Sequence, residues 1–201
     1  MKYKTLIWWA VFLSAALPSA YLILMILFFP RRLGVDPIEV FLQETGIWAL
    51  RFLLISLACS PIRRIGVKWI VQFRRMFGLY AFYYASLHLS TYIGGWIEFD
   101  WALLTDDLVK RPFIYIGMLT WLILLILALT SPKWVVKRLK RKWVLIHKAV
   151  FLAVCAAWLH LWMQSRASAA ESLLYLMLIA LLLGERLYRY RSKTRLVKAK
   201  T

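Results

Sequence analysis

The chain has 201 residues, 63% of them hydrophobic, with mean hydropathy +0.68 and a formal net charge of +18. Soluble domains carry about 45–50% apolar residues, and the excess here is gathered into long runs, which excludes an ordinary soluble domain. A charge of this size suggests nucleic acid in a soluble protein, but no DNA- or RNA-binding motif accompanies it. The basic residues lie between and after the apolar runs, so orientation in a bilayer is the reading adopted and nucleic acid is set aside.

A hydrocarbon core about 30 Å thick needs about 20 apolar residues in a spanning helix. Six spans are expected, at about 6–29, 46–61, 76–98, 112–130, 143–163 and 172–190. The first follows Lys2 and Lys4 and is too long for the h-region of a cleavable signal peptide, so it is expected to remain as a helix. Asp36-Pro37 reads as a turn before an outer amphipathic segment. The second span is short and contains Arg51, which is expected to face a polar neighbour, a headgroup or a cofactor. Cys59 and Cys155 lie inside apolar runs, with no CxxC or disulfide framework, and read as buried structural thiols. The eleven Trp and ten Tyr read mostly as interfacial belts. Asp106 and Asp107 read as solvated loop charges, with contact to a periplasmic partner as the alternative. No internal repeat or linker divides the chain, so 1–201 is read as one all-α membrane domain with its core at about 46–163.

Charge orients these spans. The N-terminus, the 62–75 loop, the 131–142 loop with Lys148, and the C-terminal tail hold 21 of the 27 Lys and Arg residues. The opposite side has Arg31, Arg32, Lys110, Arg111 and Arg166. By the positive-inside rule both termini are cytoplasmic. Arg63, Arg64, Lys68, Arg74 and Arg75 form a basic inner loop suited to anionic membrane lipid, or to a flavin phosphate or haem propionate. The basic cluster at 133–142 allows the same lipid reading, or docking of a soluble electron donor.

All three histidines lie in spans: His88 in the third, His147 and His160 in the fifth. Ionisable groups inside a membrane are costly and point to function, and imidazole is a common axial ligand of haem iron. The plainer alternative is a histidine hydrogen-bonded between helices. His147 and His160 are 13 residues apart, about 19.5 Å along a helix, so they do not share one iron. His88 lies 13 residues beyond Arg75 and His160 lies 12 beyond Lys148. Both therefore sit about 18–20 Å in from the cytoplasmic edge. That common depth suits a haem b with two imidazole ligands, held without the CxxCH of covalent attachment. Arg74, 14 residues before His88, returns to within about 40° of the same face, at about the depth of His147. Three histidines do not furnish two bis-histidine irons, so the lower level, with His147 and Arg74, is expected to differ. On an ideal helix His147 and His160 point about 140° apart; they face different neighbours, or the helix is locally overwound or bulged.

The third and fifth spans resemble the ferric reductase-like transmembrane domain of NADPH oxidases and metalloreductases, in which two helices carry four haem-ligating histidines. One of those pairs has twelve intervening residues, as His147 and His160 have. Within that superfamily the stretches GVDPIEVFLQETGIWALRFLL (34–54), RRMFGLYAFYYASLHLSTY (74–92), KRPFIYIGMLTWLILLILALTS (110–131) and KRKWVLIHKAVFLAV (140–154) resemble the MsrQ (YedZ) family. The first 30 residues and the tail after Glu185 match it only in hydropathy and charge. The resemblance implies a non-catalytic subunit of the bacterial inner membrane, containing haem b and FMN. It would pass electrons from the quinone pool or a cytoplasmic flavin reductase to a periplasmic molybdopterin-dependent, MsrP-like methionine sulfoxide reductase that repairs oxidised proteins. It supports His88 and His160 as iron ligands, with His147 as a possible further one, while Arg74 and Arg75 are expected as cofactor contacts because arginine forks suit phosphate and propionate oxygens. No G-x-G-x-x-G marks an NAD(P)H domain, so electrons are expected from elsewhere. Two other readings stay open: another cytochrome b of the same superfamily, reducing metal or quinone, and a small transporter or scaffold with structural histidines.

Overall fold

Proline and capping residues set most helix boundaries in the computed structural model, which describes residues 2–164 and 169–198. Arg166 and Lys200, both used in the charge reading, lie outside the described residues. Helix α1 (Lys2–Phe28) stops where Phe29 precedes Pro30 and leaves helical geometry. After a short 3₁₀ turn, Asp36 caps α2 (Pro37–Arg64): its Oδ1 accepts the N–H groups of Ile38 and Glu39, each at 3.0 Å, and Pro37 occupies the first helical position. The expected outer segment and short second span are therefore one 28-residue helix, about 42 Å long. Gly66, at φ +113°, follows its C-terminus in the left-handed region that glycine tolerates.

A 3₁₀ segment, Lys68–Phe73, leads into α3 (Arg74–Thr91), which runs on through a π-helical turn at Tyr92–Trp96. Asp100 caps α4 (Trp101–Lys110), and α5 (Pro112–Leu129) follows. The basic segment folds as two short helices, α6 (Lys133–Leu139) and α7 (Arg141–His147); α8 (Val150–Gln164) and α9 (Ala169–Lys198) complete the chain.

Helices thus lie over all six expected runs, and four segments are long and apolar enough to cross a membrane: Tyr3–Phe28, Pro37–Arg64, Pro112–Leu129 and Arg141–Gln164. The protein is a multi-pass, all-helical membrane protein. Polar side chains set α3 apart, among them Arg74, Arg75, three tyrosines and His88. In α9 the uncharged run from Ser172 to Gly184 is bounded by Glu171 and Glu185.

α3 packs along α2, α5 along α8, and α9 against α8 and α2. Their shared core includes Phe52, Leu53, Leu57, Tyr84, Ala153 and Val154. Several aromatics expected at the interfaces are instead structural. The Tyr84 hydroxyl accepts the Ser19 N–H at 3.0 Å and donates to the Ala15 carbonyl at 2.9 Å. It thereby bridges the break that Pro18 makes in the α1 ladder. Tyr80 donates to the Phe12 carbonyl at 2.7 Å. Trp121 donates to Ser86 Oγ at 3.0 Å, and Trp158 to the Ser172 carbonyl at 2.9 Å.

Arg51 meets polar neighbours on α9. Its Nε donates to the Tyr175 hydroxyl at 2.9 Å, Nη2 lies 3.8 Å from Glu171 Oε1, and the guanidinium stacks on Trp48. Asp107 corrects the solvated-loop reading. It is buried, accepting from the Tyr92 hydroxyl at 2.9 Å and pairing with Arg111 at 3.2 Å, while Asp106 pairs with Lys110 at the surface. Both cysteines are free thiols, and only Cys59 is buried; Cys155 lies on the outside of the fold, contrary to the expectation of two buried thiols.

Candidate functional site

His88 lies near the C-terminal end of α3, and His160 near the C-terminal end of α8. Both helices follow basic segments, so both rings sit toward the end remote from those segments. Their ring centroids are 6.0 Å apart and their planes stand at 89°. Each Nδ1–H donates to a backbone carbonyl: His88 to Leu42 of α2 at 2.9 Å, and His160 to Phe113 of α5 at 2.7 Å. A carbonyl only accepts, so these bonds place the proton on Nδ1 and leave each Nε2 with its lone pair. Among the described residues neither Nε2 has a hydrogen-bond partner.

Two glycines seat these rings. A Cβ at Gly46 would lie 3.1 Å from His88 Nδ1 and 3.2 Å from its Cε1. A Cβ at Gly117 would lie 2.8 Å from His160 Cε1 and 2.9 Å from Nδ1. Sequence reasoning missed both, because the fit is between helices far apart in the chain. The only signal was a glycine four residues after the residue whose carbonyl accepts, Leu42 or Phe113.

A metal–imidazole bond of about 2 Å puts two facing nitrogens about 4 Å apart and their centroids about 2 Å farther. The observed separation matches that span, and each ring remains free to rotate about its own bond, so perpendicular planes are admissible. No group of three or more His, Cys, Asp or Glu residues suited to a metal ion occurs among the described residues.

The level nearer the basic loops is built differently. His147 Nε2 meets Thr130 Oγ1 at 3.2 Å, and its ring stacks on Trp143 with centroids 4.1 Å apart. Arg74 Nη1 donates to Ser60 Oγ at 3.3 Å and lies within Coulombic reach of His147. The structure thus places Arg74 near His147, with its side chain exposed; Arg75 is exposed too and makes no hydrogen bond or ion pair among the described residues. The angular mismatch between His147 and His160 also has a cause. Lys148, Ala149 and Phe151 donate to Leu145, Ile146 and Lys148, three residues back, at 3.0–3.1 Å. This tightened stretch advances about 120° per residue instead of about 100°, and it turns both histidines toward α5.

A family profile described as the ferric reductase like transmembrane component matches residues 45–158. The heme-binding subunit MsrQ of protein-methionine-sulfoxide reductase from Xanthomonas euvesicatoria pv. vesicatoria (strain 85-10) is 41% identical over 164 residues, covering 81% of this chain and 75% of that protein. Its counterpart in Xanthomonas campestris pv. campestris (strain 8004) is 42% identical over 166 residues, covering 81% and 75%. That of Brucella ovis (strain ATCC 25840 / 63/290 / NCTC 10512) is 39% identical over 164 residues, covering 82% and 74%.

The chain belongs to the MsrQ family. No solved structure matches it. The matched ferric reductase-like region contains His88 and His147 and ends two residues before His160, so it takes in most of both levels. It stops well short of α9, whose Arg186 nonetheless enters the bundle and donates to the Leu57 carbonyl at 2.9 Å. In the sequence that residue was legible only as one of seven basic residues in a tail.

Proposed function

We propose that the chain is a transmembrane electron carrier whose haem b is held by His88 and His160. It would serve a periplasmic molybdopterin-dependent methionine sulfoxide reductase across the bacterial inner membrane. The observation that carries this reading is the pair of imidazoles 6.0 Å apart, each with Nδ1 held by a carbonyl and Nε2 without a partner among the described residues. The relatives' name, a heme-binding subunit of a methionine sulfoxide reductase, supplies the cofactor and the partner.

Haem would supply an iron that gains and loses one electron. The chain supplies the rest. The Leu42 and Phe113 carbonyls fix the imidazole tautomers and raise their basicity, as outer-shell partners of metal-bound histidines do. Gly46 and Gly117 leave room for the rings. Electrons would enter from the quinone pool or a cytoplasmic flavin reductase at the basic end. There, Arg74 and His147 suit FMN better than a second bis-histidine haem: His147 Nε2 already has a partner in Thr130, and arginine stays protonated.

A redox spectrum of the purified full chain tests the reading. Reducible Soret and α bands are expected, lost in both His88→Ala and His160→Ala although the protein still inserts. His147→Ala should keep the low-spin spectrum and slow its reduction from the cytoplasmic side. A colourless wild type would favour the transporter or scaffold reading. An unchanged spectrum in either His88→Ala or His160→Ala would reject the pairing.

A further inference from the structure

Asp107 is the one Asp, Glu, Lys or Arg side chain that is buried among the described residues, and it has no part in the electron path described above. It sits on α4, which follows the end of α3 that carries His88. Its two carboxylate oxygens serve different helices. Oδ2 accepts from the Tyr92 hydroxyl at 2.9 Å, and Oδ1 lies 3.2 Å from Arg111 Nε. Tyr92 is one turn beyond His88, and its backbone N–H donates to the His88 carbonyl. Arg111 occupies the N-cap position of α5, two residues before Phe113, whose carbonyl holds His160 Nδ1 at 2.7 Å. One buried carboxylate thus links the end of the helix carrying His88 to the start of the helix that aims His160.

The backbone between α3 and α4 is strained. Glu98 and Phe99 take φ +48° and +61°, the left-handed region that residues other than glycine avoid, and they follow the π-helical turn at Tyr92–Trp96. Such conformations persist only where the surroundings over-determine them, and the Tyr92–Asp107 bond spans this segment. A buried carboxylate is costly unless it is paired and hydrogen-bonded, so α4 keeps its place only while both partners are met. We propose that Asp107 is a positioning residue for the histidine pair, fixing through Tyr92 and Arg111 the angle at which the two imidazole planes meet. This role rests on the haem reading of the pair. The planes stand at 89°, and each ring is aimed by the carbonyl that accepts its Nδ1–H. Loosening the start of α5 frees the Phe113 carbonyl, and the His160 ring swings with it.

Electron paramagnetic resonance of the purified, oxidised full chain reads that angle. The largest g-value of a low-spin ferric centre with two imidazole ligands falls as their planes turn from perpendicular toward parallel. Wild type should show the highly anisotropic signal of perpendicular rings; a signal typical of parallel planes would overturn the proposal. Asp107→Ala should lower the largest g-value and broaden the line. Tyr92→Phe, which removes only a hydroxyl, should move it the same way by less. Combined with Asp107→Ala, Tyr92→Phe should add nothing, because the two residues act through one contact; additive shifts would count against the bridge. Asp106→Ala breaks only the surface pair with Lys110 and should leave the signal unchanged. Less haem or a lower thermal midpoint in Asp107→Ala, with the g-value of the remaining haem unmoved, would reduce Asp107 to packing and overturn the proposal. If Asp107→Ala fails to insert, Tyr92→Phe decides, and an unmoved g-value there rejects the role. A wild-type chain with no low-spin signal would instead sink the haem reading and this role with it, whereas a wild-type signal shared by every variant sinks the role alone.

Discussion

Each histidine of the upper pair is fixed by a backbone carbonyl on one side and by the missing side chain of a glycine on the other. The two glycines are not equivalent. At Gly117 an added methyl would sit 2.8–2.9 Å from two atoms of His160, closer than real Cβ atoms come, so the ring or α5 must move. At Gly46 the corresponding distances to His88 are 3.1–3.2 Å, and a shift of a few tenths of an ångström suffices. Gly117→Ala is therefore expected to cost about 1–3 kcal/mol through overpacking and to lower the haem content of purified protein, with a shifted or broadened Soret band. Gly46→Ala should have the same sign and a smaller size. Measured together, the pair separates seating from general packing: equal losses of haem in the two variants would contradict the steric account.

Individual helices here are shaped by what they pack against. α1 contains Pro18, and the Tyr84 hydroxyl occupies the resulting gap, bonded to Ser19 N and Ala15 O. Inside a bilayer no water replaces those bonds. Tyr84→Phe should thus leave a donor and an acceptor unsatisfied and destabilise the docking of α1 by about 1–3 kcal/mol per unsatisfied group. Tyr80→Phe removes a single bond, to Phe12 O, and should cost less. Thermal unfolding of the detergent-solubilised chain compares the two; a Tyr84→Phe variant no less stable than Tyr80→Phe would remove this role. The α7–α8 junction makes the same point. Nothing in Lys148-Ala149 resembles a helix breaker, and the tightened turn there is visible only in the hydrogen bonds it makes. Sequence periodicity exposed a 140° discrepancy between His147 and His160 without saying where the helix absorbs it.

At the scale of the whole chain, hydropathy was enough to place helices over the six apolar runs, and helical rise was enough to put His88 and His160 at one depth. What escaped it were features made by two distant segments at once: Gly117 beneath His160, Asp107 drawn inward by Tyr92 and Arg111, and Arg186 turned into the bundle instead of trailing from it. Polarity across the membrane is predicted from the distribution of charge: in the six-span arrangement expected from the sequence, 21 of the 27 Lys and Arg residues fall on the side of the two termini. The fold adds a reason to take that bias seriously. The basic residues at the start of α3 and those of α6 and α7 lie at one end of the bundle, and the histidine pair lies toward the other. Reversing the chain would put the Arg74–His147 level outside, away from any cytoplasmic donor. A reporter active only in the periplasm should therefore be silent when fused at Thr201 and active when fused after Phe99. That residue is exposed between α3 and α4, and fusion there spares the buried Asp107 contacts with Tyr92 and Arg111 better than fusion at Asp106 would. Activity at Thr201 would overturn the arrangement with both termini inside, and with it the direction of electron flow proposed for the His88–His160 pair.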